Sequence, residues 1–192
     1  PTPDADGYPG ANDNASGVGV MLEAIRSMRE SEYQPYRSFL FVAYSGEGQE
    51  GGEWMSPVKD VERFLDAKRG FAENFDVVAI IQLRGLGAGH GDGLVISGGG
   101  SARLAGLLER AARQVGVDTR RSAEPIDISI VFEEDVEELG QEVPNVGLGW
   151  QGWTASSRTP ADTLTSVSRD RLEQAGRTLS LALMILGRER QY

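Results

Sequence analysis

Glycine clusters at 46–52, 85–93 and 98–100 each follow directly on a short apolar run, and that juxtaposition is what most restricts the fold. An apolar run of a few residues closed by glycine reads as a buried strand ending in a tight loop. The runs at 39–44, 77–83 and 94–97 are of this kind. Apolar side chains also recur at helical spacing in three stretches. The first carries Val18, Leu22, Ile25 and Met28, the second Leu104, Leu108, Ala111 and Val115, and the third Leu172, Leu179, Leu183 and Leu186. Asn14 or Ser16 is placed to cap the first helix and Ser101 the second, while the third begins near Ser168. Further strands are expected at 126–131 and 146–150, with a short helix at 60–68 and an acidic helical turn after 131. Strands alternating with helices predict an α/β fold. No internal repeat or long linker divides the 192 residues, which read as a single domain. In open α/β sheets ligands sit beyond the carboxyl ends of the strands, so the glycine loops are where chemistry is expected.

Composition removes several function classes. The chain has no cysteine, which excludes disulfides, thiolate metal sites and thiol nucleophiles. Its one histidine, His90, excludes a multi-histidine metal site built from these residues alone. Acidic residues outnumber basic ones 29 to 19, for a net charge of −10. A phosphate backbone or anionic membrane would be repelled, so no nucleic-acid partner is expected. The apolar runs are far shorter than the ~20 residues of a membrane span, so no membrane insertion is expected. The chain opens on Pro1, and it reads as part of a longer product.

Each candidate site has a plain alternative. Asp13, in the run GANDNASG at 10–17, is a carboxylate held by small residues before a helix. It suits a metal ligand and equally an Asx turn and helix cap. Glu47, after the strand at 39–44, suits a general base and equally a polar loop. The glycines at 98–100 before Ser101 could cradle a phosphate, but they lack the P-loop lysine and the full dinucleotide fingerprint. His90 reads as a loop histidine, and no Gly-x-Ser-x-Gly elbow accompanies it. Residues 122–157 hold no lysine or arginine, and their acids fit a solvated helix face or a dock for a basic partner or calcium, although the spacing is not that of an EF-hand.

Taken in order, these pieces resemble the co-catalytic zinc aminopeptidases, metallopeptidase family twenty-eight. GANDNASG matches the family's most distinctive motif, and Glu23 lies on the helix that follows it. FVAYSGE at 41–47 resembles its strand and Ser-Gly-Glu-Glu motif, and 78–83 its next strand, which usually ends Asn-Leu-Asp. TPADT at 159–163 resembles its late His-Thr-Pro-x-Asp-Thr motif. The resemblance implies a three-layer sandwich with a mixed central sheet and helices on both faces. It also implies strands upstream of GANDNASG. Without them the sheet has an edge that a second copy or an upstream segment would cover. An extracytoplasmic or secreted location is implied as well.

Active members hold two zinc ions, which polarise the scissile carbonyl and supply hydroxide near neutral pH. Carried over residue by residue, Asp13 takes the bridging-ligand position and Glu47 the general-base position. Gly48 stands where a ligand glutamate belongs, Arg84 where the second aspartate belongs, and Arg158 where the second histidine belongs. A one-residue shift would instead make Glu47 the ligand, with Gly46 at the lost base. Arginine cannot deprotonate to coordinate metal. A guanidinium about 4 Å from a unit positive charge is repelled by about 4 kcal/mol at an effective dielectric of 20, and twice that by a dication. The expectation is therefore a pseudoenzyme without a metal cofactor, a binding or structural module for a protein or peptide. The alternative is an active exopeptidase removing N-terminal residues, its zinc held by upstream residues or by Glu50, Glu53, His90 and the cluster at 133–138. With the metals gone, Arg84 or Arg158 is expected to pair with Asp13 or Glu47.

Overall fold

The computed structural model describes residues 8–43, 48–50, 53–55, 78–98, 101–123 and 144–189. Its strands are β1 (Gly48–Glu50), β2 (Glu53–Met55), β3 (Ile80–Leu83), β4 (Gly93–Ser97), β5 (Asp118–Ser122) and β6 (Asn145–Trp150). Its α-helices are α1 (Gly17–Glu30), α2 (Ala102–Val115) and α3 (Arg169–Arg188). β1 and β2 form a small antiparallel pair, where the sequence suggested only a polar loop. The other four strands form one sheet in the order β3-β6-β4-β5. β3 runs parallel to β6 and β5 parallel to β4, whereas β4 and β6 are antiparallel. The sheet is mixed, as expected, and the fold is α/β. α1 and α2 both pack against α3, which lies between them. The helix expected at 60–68 and the strand at 126–131 lie outside the described residues.

β6 explains where the core sits. Val146, Leu148 and Trp150 alternate with Asn145, Gly147 and Gly149, so one face of the strand is apolar and the other nearly bare. The apolar face joins Leu94 and Ile96 of β4, Leu104 and Leu108 of α2, and Leu179 and Leu183 of α3. Each fully buried leucine contributes about 2 kcal/mol of apolar burial. Ser101 Oγ accepts from the Leu104 amide at 3.2 Å, and Ser168 Oγ from the Arg171 amide at 3.4 Å. Ser101 therefore caps its helix as the sequence predicts, and Ser168 caps the helix expected to begin near it.

Three expectations need correction. α1 buries Val20, Ala24 and Met28, while Leu22 of the expected stripe is 57 % exposed. The methyl side chain of Ala24 lets the helix seat closely against its neighbour, and this outweighs the greater apolarity of Leu22. Neither Asn14 nor Ser16 caps α1, because both side chains bond elsewhere. Residues 39–43 do not form a buried strand either: Leu40 and Val42 are 56 % and 40 % exposed, and among the described residues they pair with none of the strands. Conversely β5, Asp-Thr-Arg-Arg-Ser, carries no apolar signal. It forms the sheet's polar edge, and Arg121 clasps Glu109 of α2 through contacts of 2.6 and 2.8 Å.

Candidate functional site

Because β3 and β6 are parallel, their carboxyl ends open at the same margin of the sheet, and antiparallel β4 begins there. The loop from Arg84 to Asp92 therefore stays at this margin, where the turn Ala11–Ser16 meets it. That turn is kinked: Asp13 and Asn14 leave helical geometry, and the peptide between them is cis. Asn12, fully buried, accepts from the amides of Gly87 and Ala88 at 2.8 Å each and donates to the Ala88 carbonyl at 3.4 Å. Ser16 Oγ donates to the Asn12 carbonyl and accepts from the Leu86 amide. Asn14 Nδ2 donates to the Leu83 carbonyl at 2.8 Å, at the end of β3. A Cβ on Gly17 would lie 2.4 Å from Asn14 Oδ1, so only glycine lets Asn14 take this position.

The late segment closes the turn from the other side. The Asp162 carboxylate, fully buried, accepts from the Asn12 amide at 2.6 Å and the Asp13 amide at 3.0 Å. The Asp162 carbonyl accepts from the Ala11 amide at 3.2 Å. Its two carboxylate oxygens thus answer two main-chain donors that a kinked turn would otherwise leave unpaired. The Asp13 side chain is half-buried, and its Oδ2 accepts from the Ser157 hydroxyl.

Asp13, Arg84 and Arg158, singled out in the sequence, come to this one margin. Arg84 directly follows Leu83, the residue held by Asn14, and Arg158 directly follows Ser157, the residue bonded to Asp13. Among the described residues the Asp13 carboxylate bonds the Ser157 hydroxyl and pairs with neither guanidinium, while the expected pairing with Glu47 lies outside the described residues. The Arg84 guanidinium carbon stands 5.7 Å from the ring centre of Trp153. Trp153 is pressed so close over Gly85, which has φ +54°, that a Cβ there would meet the ring at 2.6 Å. An aromatic face is therefore fixed beside the guanidinium, and cation–π attraction holds it there. Arg158 is exposed, with φ +56°. Glu47 lies outside the described residues, as does the cluster at 133–138. Gly48 opens β1, and Glu50 and Glu53 are paired positions of β1 and β2. His90 is exposed with its ring against Gly152.

Among the described residues, no group of three or more histidine, cysteine, aspartate or glutamate side chains could hold a metal ion. Among the described residues around Asp13 are its own carboxylate, the Ser157 hydroxyl engaged with it and the buried Asp162 carboxylate, whose two oxygens face main-chain amides. These described residues alone do not supply the ligands of a dinuclear zinc centre. The sequence did not flag Asn12, Trp153 or Ser157. Asn12 and Asp162 lie inside the two most specific motifs, and motif membership was the only signal for them.

The chain is thus a mixed α/β domain with a kinked Asn-Asp turn clamped at the carboxyl margin of its sheet. The profile of Peptidase family M28 matches residues 2–183, and the chain belongs to that family. Among solved structures, it resembles a zinc aminopeptidase from Bacillus subtilis with a TM-score of 0.68 at 19 % identity, over 96 % of this chain and 44 % of that one. The LapA aminopeptidase of Legionella pneumophila gives 0.72 at 17 %, over 97 % and 49 %. An aminopeptidase from Aneurinibacillus sp. strain AM-1 gives 0.66 at 20 %, over 96 % and 41 %. The chain spans under half the length of each, and at these identities the likeness is one of fold.

Proposed function

We propose that this aminopeptidase-like domain is catalytically inactive and serves as a binding or structural module for a protein or peptide in an extracytoplasmic setting. The donor set around Asp13 carries this reading. In the family resemblance, Arg84 and Arg158 take two ligand positions, and a guanidinium neither coordinates zinc nor tolerates it nearby. The Ser157 hydroxyl donates to the Asp13 carboxylate, a bond that occupies a lone pair a bridging ligand would offer to metal. Gly48 supplies no side-chain ligand at a third position. The test is metal content after purification in the presence of zinc, followed by assay on aminoacyl substrates. The expected result is zinc well below one ion per chain and no hydrolysis. Stoichiometric zinc with release of N-terminal residues would establish the opposite reading, an active exopeptidase with a rearranged site.

A further inference from the structure

Two guanidinium groups converge over a bare point on α2. A Cβ placed on Gly106, in the interior of that helix, would meet among the described residues only Arg110 Nη1 at 3.8 Å and Arg121 Nη2 at 3.9 Å. The two nitrogens therefore lie at most 7.7 Å from each other, beside space that a side chain would fill. Arg121 reaches this point from β5 and is held by Glu109, whose two oxygens accept from its Nε at 2.6 Å and its Nη2 at 2.8 Å. Both Glu109 oxygens are thus engaged, and Arg110 pairs with no carboxylate among the described residues. Like charges gathered at one point repel, and an anion between them turns that repulsion into attraction. Glycine within a helix is also less favourable than alanine. Packing does not demand it here, since a methyl group would have only ordinary contacts.

We propose that Arg110 and Arg121 form a site for a tetrahedral oxyanion, phosphate or sulfate, seated over Gly106. The inference is independent of whether the domain is active. The four residues lie between 106 and 121 on two elements in contact, so the arrangement is complete within this stretch. Size and chemistry both fit. Two oxygens of one such group, each accepting a charge-assisted bond of about 2.8 Å, reach across the interval between the nitrogens. The guanidinium fork matches phosphate geometry, and the missing side chain at 106 lets the group approach the helix. Charge selects a compact ligand. Residues 101–123 carry five arginines against two acids, whereas the chain as a whole carries −10. A long polyanion would be repelled by the rest of the chain, while a single oxyanion meets only the local positive charge.

The test is titration calorimetry with sodium phosphate and sodium sulfate at constant ionic strength, with sodium acetate as the control. Saturable binding of phosphate or sulfate is expected, and the tighter of the two names the ester that the site takes. Arg110→Gln, at an exposed position, is expected to weaken binding about tenfold or more with an unchanged circular dichroism spectrum. Gly106→Ala separates the site from the fold, because the two effects have opposite signs. The methyl group should weaken binding by occupying the seat of the anion, while alanine raises Tm through its helix propensity. Phosphate and sulfate heats no greater than that of acetate overturn the proposal. Binding left undiminished by either substitution overturns it too.

Discussion

Asp162 and Asn12 do more for this site than the charged residues that draw the eye. Asp162 offers both oxygens to the amides of Asn12 and Asp13, and Asn12 offers its own oxygen to two amides of the 84–92 loop. Replacing Asp162 with alanine would strand two buried donors, each costing about 1–3 kcal/mol. We expect Asp162→Ala to lower unfolding free energy by about 2–6 kcal/mol in urea titrations, and a loss under about 1 kcal/mol would contradict the clamp. Little of this was legible in sequence. GANDNASG and TPADT could be matched to family motifs, but nothing local says that residue 162 grips residues 12 and 13 across 150 positions. Asp13 and Arg84 both lie at the margin of the sheet, but their partners there, Ser157 and Trp153, carried no signal in the sequence. A nearby serine and a tryptophan wedged over glycine are facts of three-dimensional proximity.

Among the elements, legibility followed periodicity. α2 and α3 were readable because their apolar stripes coincide with the buried faces and serines cap their first turns. β4 and β6 were readable as apolar runs between glycines. In α1 Met28 of the expected stripe is buried, but Leu22 was misread because apolarity ranks it above Ala24, while close helix packing ranks them the other way. β5 was missed because a polar edge strand has no burial pattern to read. Its tie to α2 makes a pH prediction. The Arg121 guanidinium hydrogen-bonded to Glu109 holds that carboxyl below its ordinary value of 4.5. A lowered folded-state value means the stabilisation is complete above the unfolded value and is lost as pH falls through the folded one. Glu109→Gln should therefore lower Tm slightly at pH 7, with the difference from the unmodified chain vanishing in strong acid. Thermal scans from pH 7 down to about 2 would check this, and a difference that persists in acid would assign the effect to packing instead.

For the whole molecule, net charge governs association. Two chains at −10 repel through solvent, and salt shortens the reach of that repulsion to about 8 Å at physiological ionic strength. Any association between copies should therefore strengthen as salt rises from about 0.02 to about 0.5 M, where the Debye length becomes a few Å. Sedimentation equilibrium at the two salt levels would measure this, and weakening with salt would mean that ion pairs hold the copies together. The fold class itself could be read from the sequence, since strand and helix signals alternate along it. The sheet order β3-β6-β4-β5 could not, because it places the strand at 145–150 between two that precede it.

That arrangement has a consequence for the order of events when the chain folds. The clamp on Asp13 needs the turn at 11–16, the loop at 84–92 and the segment at 157–162 to meet at once. Contacts this far apart in sequence demand the largest loop closures and arrive after local ones have formed. β4, α2 and β5, neighbours in sequence and in space, can consolidate while the site is still open. The margin of the sheet becomes native late, together with the packing of α1 on α3, and during synthesis it waits until residue 162 has left the ribosome.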